Sequence, residues 1–108
     1  MTSPRGRKRG ADPGLLLMIS LAGGSKHGHA MMLDIAEFSG QRLGPGTLYG
    51  ALERLEQDGL IAAVATTDRR TPYRLTGSGT AYLEQRMGEM DQLARVALAR
   101  VALTRVAR

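Results

Sequence analysis

Leu43-Gly44-Pro45-Gly46-Thr47-Leu48-Tyr49-Gly50-Ala51-Leu52-Glu53-Arg54-Leu55-Glu56-Gln57-Asp58-Gly59-Leu60-Ile61 carries the marks of both ends of one helix. Pro45 suits the first helical position, where its missing N–H would be unpaired anyway and its fixed φ is already helical; Gly44 is then the cap. Leu48, Ala51, Leu52 and Leu55 recur at spacings of three and four and so share one face that needs an apolar partner. Gly59 supplies the left-handed stop, and Leu60 falls where the chain folds back onto Leu55. The helix is expected to end near Asp58.

The other face carries Gly46, Thr47, Tyr49, Gly50, Glu53 and Arg54. Its first turn is nearly bare, so another molecule can approach it closely. A short two-faced helix running straight into a β-rich stretch, residues 61–66, reads as the recognition helix and first wing strand of a winged helix-turn-helix, in which that helix enters the DNA major groove. Residues 71–76 form a second β-rich run across Thr67-Asp68-Arg69-Arg70, a loop short enough for a hairpin. Pro72 points to an edge position for that strand. Tyr73 and Leu75 alternate with Arg74, which puts one face on the core and charge on the other. Arg69 and Arg70 at the tip are placed to reach a phosphate backbone or a minor groove. The expected fold is mainly α with a small β-hairpin wing.

Upstream, Asp12-Pro13 is a cap followed by a first-position proline. Leu15, Leu16, Leu17, Met18, Ile19, Leu21 and Ala22 then run to Gly23-Gly24, apolar on nearly every side, as in a helix buried between the core and a second subunit. Ser25 can cap a further helix over residues 26–38, with Met31, Ile35 and Phe38 on one stripe. Lys26 and His27 at its start would face phosphate, which a helix N-terminus already favours. His27 and His29, two apart, lie on different sides of such a helix, His29 reading as partly buried; no metal or cofactor site is expected. Residues 1–11, with Arg5, Arg7, Lys8 and Arg9, hold nothing that builds a core and read as a disordered basic arm, either a solvated tail or one that tracks DNA.

Downstream, Thr76 caps a last helix running from residue 77 to near residue 108, about 30 residues and roughly 45 Å at ~1.5 Å per residue. Leu83, Met87, Met90, Ala94, Ala97 and Val101 keep a coiled-coil-like spacing of four and three. With Leu15 and Met18 of the first helix they form the expected homodimer interface. The organisation expected is an arm (1–11), a winged helix-turn-helix (12–76) and a dimerisation helix (77–108).

Pro45-Gly46-Thr47-Leu48-Tyr49, then Leu52-Glu53-Arg54-Leu55-Glu56 and Asp58-Gly59-Leu60-Ile61, resembles the PadR family of bacterial transcriptional regulators. His27-Gly28 and Tyr73-Arg74-Leu75-Thr76 fit the same pattern, so the resemblance runs from about residue 15 to about residue 83. It departs at His29, Ala30 and Gly44, where relatives usually carry tyrosine, an acidic residue and serine. The resemblance implies a homodimeric repressor whose long last helix makes the dimer, with the tyrosine matched by Tyr49 at the DNA surface. In many members a small molecule, often phenolic, releases the DNA. Here the methionines Met18, Met31, Met32, Met87 and Met90 can line a pocket for a small apolar effector or simply fill the core.

A formal net charge of +5 over 108 residues favours an anionic partner, double-stranded DNA first and acidic lipid second. The longest apolar run, residues 15–19, is far short of the ~20 that span a bilayer, so no membrane partner is expected and the cytoplasm fits. Cysteine is absent, which excludes disulfides and thiolate chemistry. No nucleophile–base pair, buried carboxylate pair or phosphate-cradling glycine loop is evident, so no enzyme is read. Two readings stand: a DNA-binding regulator contacting DNA through Lys26, His27, Arg42, Gly46, Thr47, Tyr49, Gly50, Arg54, Arg69 and Arg70, or a winged-helix interaction module whose basic surface binds a protein or acidic surface.

Overall fold

The computed structural model describes residues 10–106; the arm expected over residues 1–11 lies, apart from Gly10 and Ala11, outside the described residues. In chain order the elements are α1 (Pro13–Ala22), β1 (Lys26–His27), α2 (Gly28–Ser39), α3 (Pro45–Gln57), β2 (Ile61–Ala63), β3 (Pro72–Leu75) and α4 (Gly77–Val106). The fold is mainly helical with a small three-stranded antiparallel sheet, a winged helix carrying a long last helix.

Local chemistry sets the helix ends. The Asp12 carboxylate accepts the Leu15 N–H at 3.2 Å and opens α1. α3 starts at Pro45 and closes at Gly59, whose φ of 75° lets the Gly59 N–H reach Glu56 O and the Leu60 N–H reach Leu55 O, both at 3.0 Å. The Thr76 hydroxyl accepts the Gly79 N–H at 3.0 Å and donates to Gly59 O at 2.6 Å, which caps α4 and ties it to the end of α3.

α1 is the hub of the core. Leu15, Leu16, Leu17, Met18 and Leu21 are all buried against α2, α3, β3 and the start of α4 of the same chain. Leu17, Met31, Ile35, Leu48 and Ile61 are the most deeply enclosed large apolar side chains. Each buried leucine or isoleucine contributes roughly 1.5–3 kcal/mol relative to exposure. Leu15 and Met18, expected at a dimer interface, are therefore covered by their own chain, as is Leu83. Phe38 departs from the expected α2 stripe: it sits in the last turn, half exposed, beyond the reach of the core that holds Met31 and Ile35.

The sheet corrects three sequence expectations. Lys26 and His27 start no helix; they form β1, pairing Lys26 with Tyr73 and His27 with Pro72. The cap of α2 is accordingly His27, whose Nδ1 accepts the Ala30 N–H at 3.4 Å, and Ser25 stays in the turn. β3 lies at the centre, in the order β1-β3-β2, so Pro72 is not on an edge strand. It is tolerated because it is the strand's first residue, where a missing donor costs little, while its carbonyl still accepts the Val64 N–H at 2.8 Å. Regular pairing on β2 ends at Ala63, so the hairpin connection spans residues 64–71 rather than 67–70. Within it the Asp68 N–H bonds the Thr66 hydroxyl at 3.1 Å and turns the chain early.

α4 is split in two. Gly79 and Leu83 are buried and Met87 packs partly on the core, but every residue over 88–106 is exposed, including Met90, Ala94, Ala97 and Val101. That second half is roughly 28 Å of unsupported rod at ~1.5 Å per residue. It accounts for a radius of gyration of 16.9 Å, against ~13 Å for a compact chain of about this size.

Candidate nucleic-acid interface

α3 sits on the core through Leu48, Ala51, Leu52 and Leu55. Helical geometry then turns Gly46, Gly50, Glu53 and Gln57 straight outward in one row, with Tyr49 on one flank and Thr47 and Arg54 on the other. Beside Tyr49 a cleft of about 470 Å³ opens between α3, the start of α2 and the hairpin loop. His27, Gly28 and His29 form one wall, Tyr49 another, and Arg69, Arg70, Thr71 and Tyr73 the third. The structure thus gathers His27, Tyr49, Arg69 and Arg70 from three separate stretches of sequence.

Gly28 explains the position of Tyr49. A Cβ on Gly28 would lie 2.9 Å from the Tyr49 hydroxyl and 3.2 Å from its ring, so the tyrosine rests directly on bare backbone. Its other side is open, with the residue 55% exposed. Tyr73 closes the floor. Burial first, then the Glu56 carboxylate and the Tyr49 phenol, raise its pKa above the ordinary 10.0, which keeps it a neutral hydrogen-bonding group.

The cations fall into two groups. Arg42, Arg54, Arg69 and Arg70 are exposed and form no ion pair among the described residues. On α4 both kinds occur: Arg86 pairs with Glu89 at 3.2 Å and Arg95 with Asp91 at 2.8 Å, whereas Arg100 and Arg105 are exposed and form no ion pair among the described residues. Lys26 belongs to neither group and corrects its sequence reading. Not standing at a helix N-terminus, it turns inward: its ammonium donates to Ser20 O and to Gly24 O at 3.2 Å and lies 4.0 Å from the Asp34 carboxylate. That carboxylate also accepts from the buried Ser20 hydroxyl at 2.6 Å. Lys26 therefore clamps the α1–β1 turn.

The remaining expected contacts lie outside the cleft. Thr47 and Arg42 border a hollow on the far flank of α3, next to Gly10, Ala11 and Pro13, where Gln41 Nε2 donates to Ala11 O at 3.3 Å. Arg54 bends back along the helix, its Nη1 3.7 Å from where a Cβ on Gly50 would be.

Residues 16–85 match the profile of the transcriptional regulator PadR-like family. The chain belongs to that family. Family members are transcriptional regulators rather than enzymes. This PadR-like chain is 41% identical over 83 residues to an uncharacterized 37.1 kDa protein of transposon TN4556 in Streptomyces fradiae, a match spanning 77% of the chain and 24% of that protein. It is 42% identical over 62 residues to transcriptional regulator Rv3488 of Mycobacterium tuberculosis, spanning 55% of the chain and 58% of the relative. In three dimensions it resembles a PadR family transcription regulator from Clostridium difficile, with a TM-score of 0.73, 26% identity, and coverage of 80% of this chain and 94% of the other.

Several cleft residues of the PadR-like chain were not marked by its sequence. His29 is exposed on the cleft wall rather than partly buried, because on α2 it lies off the face that buries Gly28, Met31 and Ile35. Thr71 and Tyr73 join the site only because β3 pairs with β1. Alternation along 73–75 marks Tyr73 as inward-facing, and no local signal says that its inner neighbour is a binding cleft.

Proposed function

We propose that the chain is a sequence-specific DNA-binding regulator, a homodimeric repressor that places α3 of each copy in successive major grooves of an inverted-repeat operator. The observation that carries this reading is the outward row of α3, bare at Gly46 and Gly50 and flanked by the unpaired Arg42, Arg54, Arg69 and Arg70. Unpaired arginines around a helix whose outward row opens with two glycines suit a polyanion approached at close range. Arg69 and Arg70 contact phosphate next to the cleft, Arg42 contacts it on the other flank, and Thr47, Tyr49 and Arg54 reach base edges. His27, Gly46 and Gly50 contribute backbone that comes close to the duplex.

The exposed apolar residues of α4 beyond Met87 pair with a second copy, and that pairing sets the half-site spacing at about one helical turn. Such a regulator works where the DNA is, in the cytoplasm. Any small apolar effector binds between the copies along α4, where Leu93, Leu98 and Leu103 stand exposed, while Met18 and Met31 are buried in the core.

Gel-shift titration of the purified chain against a sequence-selected duplex and a scrambled one, at two salt concentrations, tests the reading. The expected result is a specific complex of two chains per site that salt weakens, with Arg69→Ala and Arg70→Ala each flattening the log-affinity against log-salt slope by about one unit. Equal binding to both duplexes, or indifference to salt, would overturn it in favour of a protein-binding or surface-binding module.

A further inference from the structure

We infer that Glu53 reads a cytosine in each half-site, its carboxylate accepting a hydrogen bond from the exocyclic amine in the major groove. The inference rests on the DNA-binding reading above and adds a specificity-determining residue to it.

Gly46, Gly50, Glu53 and Gln57 are spaced four, three and four apart, opposite the buried Leu48, Ala51, Leu52 and Leu55, so they point directly away from the body. Along that row a Cβ at Gly46 would meet open space and one at Gly50 only the Arg54 guanidinium. Glu53 is therefore the first side chain that a duplex lying along the row encounters. Its carboxylate is exposed and makes no hydrogen bond or ion pair among the described residues, although Arg54 is its neighbour.

A free carboxylate on a surface built for a polyanion is repelled by every phosphate it approaches. It is also an acceptor only, so the groups it can meet favourably in the groove are base amines. Adenine presents its amine beside the N7 acceptor, which opposes a second carboxylate oxygen. Cytosine presents the amine alone, the recognised match for a carboxylate. Arg54, bent back over Gly50, offers the opposite chemistry, donors for guanine O6 and N7. A negative charge here also penalises every duplex lacking the amine, which sharpens discrimination through repulsion as much as attraction.

Selection from a randomised duplex library by the full chain, Glu53→Ala and Glu53→Gln tests this, followed by affinity measurement on the selected sequence. The wild type is expected to demand cytosine at one position per half-site. Glu53→Ala should lose preference there and nowhere else, with affinity for the selected sequence falling roughly 5- to 150-fold and the salt slope unchanged. Glu53→Gln should move the preference toward adenine, which an amide can grip at N6 and N7. Unaltered preferences in both variants overturn the role of Glu53 while leaving the operator reading intact. A wild type that selects no sequence at all overturns that reading too.

Discussion

Residues 13–87 and residues 88–106 spend similar apolar chemistry in opposite ways. In the first region Leu17 and Leu48 are wholly enclosed by their own chain; in the second Leu93, Leu98 and Leu103 are each about 70% exposed. The body takes its stability from intramolecular packing around α1. The distal half of α4 is held by its own backbone hydrogen bonds, sound helix-forming composition and exposed side-chain contacts along the helix, Arg95–Asp91 at 2.8 Å, Arg86–Glu89 at 3.2 Å and the Thr104 hydroxyl to Arg100 O at 3.0 Å. A helix of this length is marginal alone in water, because nucleation is costly and propagation gains little per residue. The difference teaches that apolar chemistry folds the body within the copy and leaves the distal half of α4 exposed, where the proposed pairing of copies would cover it.

The largest expected effect breaks the body. Leu17→Ala leaves a cavity at the centre of α1 and is expected to cost about 2–5 kcal/mol in urea denaturation. Next comes the joint between the two regions. A Cβ on Gly79 would lie within 1.9 Å of the Leu60 carbonyl oxygen, backbone that cannot step aside without shifting the end of α3. Gly79→Ala should therefore cost about 1–3 kcal/mol and alter the packing of Leu83 and Met87. A stability within a few tenths of wild type would show that α4 slides freely over the body, erasing the rigid joint on which the comparison depends.

The parts legible in the sequence were those decided within a few residues. Asp12 and Pro13, Pro45 and Gly59, and Thr76 each determine a helix end through a bond or a dihedral angle reached locally, and all five act as their chemistry suggests. Periodicity likewise gave the buried face of α3 correctly. Periodicity says which face is apolar, however, and not what covers it, so Leu15 and Met18 read as interface although α2, α3 and α4 of the same chain enclose them. β1 escaped notice because two residues carry no period, and its existence depends on β3, more than forty residues downstream. The inward turn of Lys26 has the same origin: the strand pairing aims it at Ser20 and Asp34. Within the candidate site, the arginines and Tyr49 were visible as residue types. The contact of Tyr49 with Gly28 and the gathering of His29 and Tyr73 were not, because they come from tertiary assembly.

A smaller effect tests whether the joint is locked by its cap as well as by close packing. Thr76→Ala removes both the acceptor for the Gly79 N–H and the donor to Gly59 O. The expected cost is about 1 kcal/mol, read as a lowered denaturation midpoint with unchanged slope. Thr76→Ser keeps the hydroxyl and should restore most of it. No loss in the alanine variant would show that close packing at Gly79 and Leu83, not the cap, fastens α4 to the body.

The smallest expected effect is also the most discriminating. Leu103→Ala makes the same chemical deletion as Leu17→Ala, at a side chain that is 70% exposed in the single chain. At high dilution, where copies are apart, it should change stability by no more than about 0.5 kcal/mol, as surface substitutions do. If a second copy covers the distal half of α4, the lost contact must reappear as protein concentration rises, because association stabilises only the state that binds. The wild-type melting temperature should then climb with concentration while that of Leu103→Ala climbs less, and sedimentation equilibrium should show weaker self-association in the variant. Parallel curves for the two proteins at every concentration would mean that no second copy rests on Leu103. The exposed end of α4 would then have to find its cover in a different macromolecule.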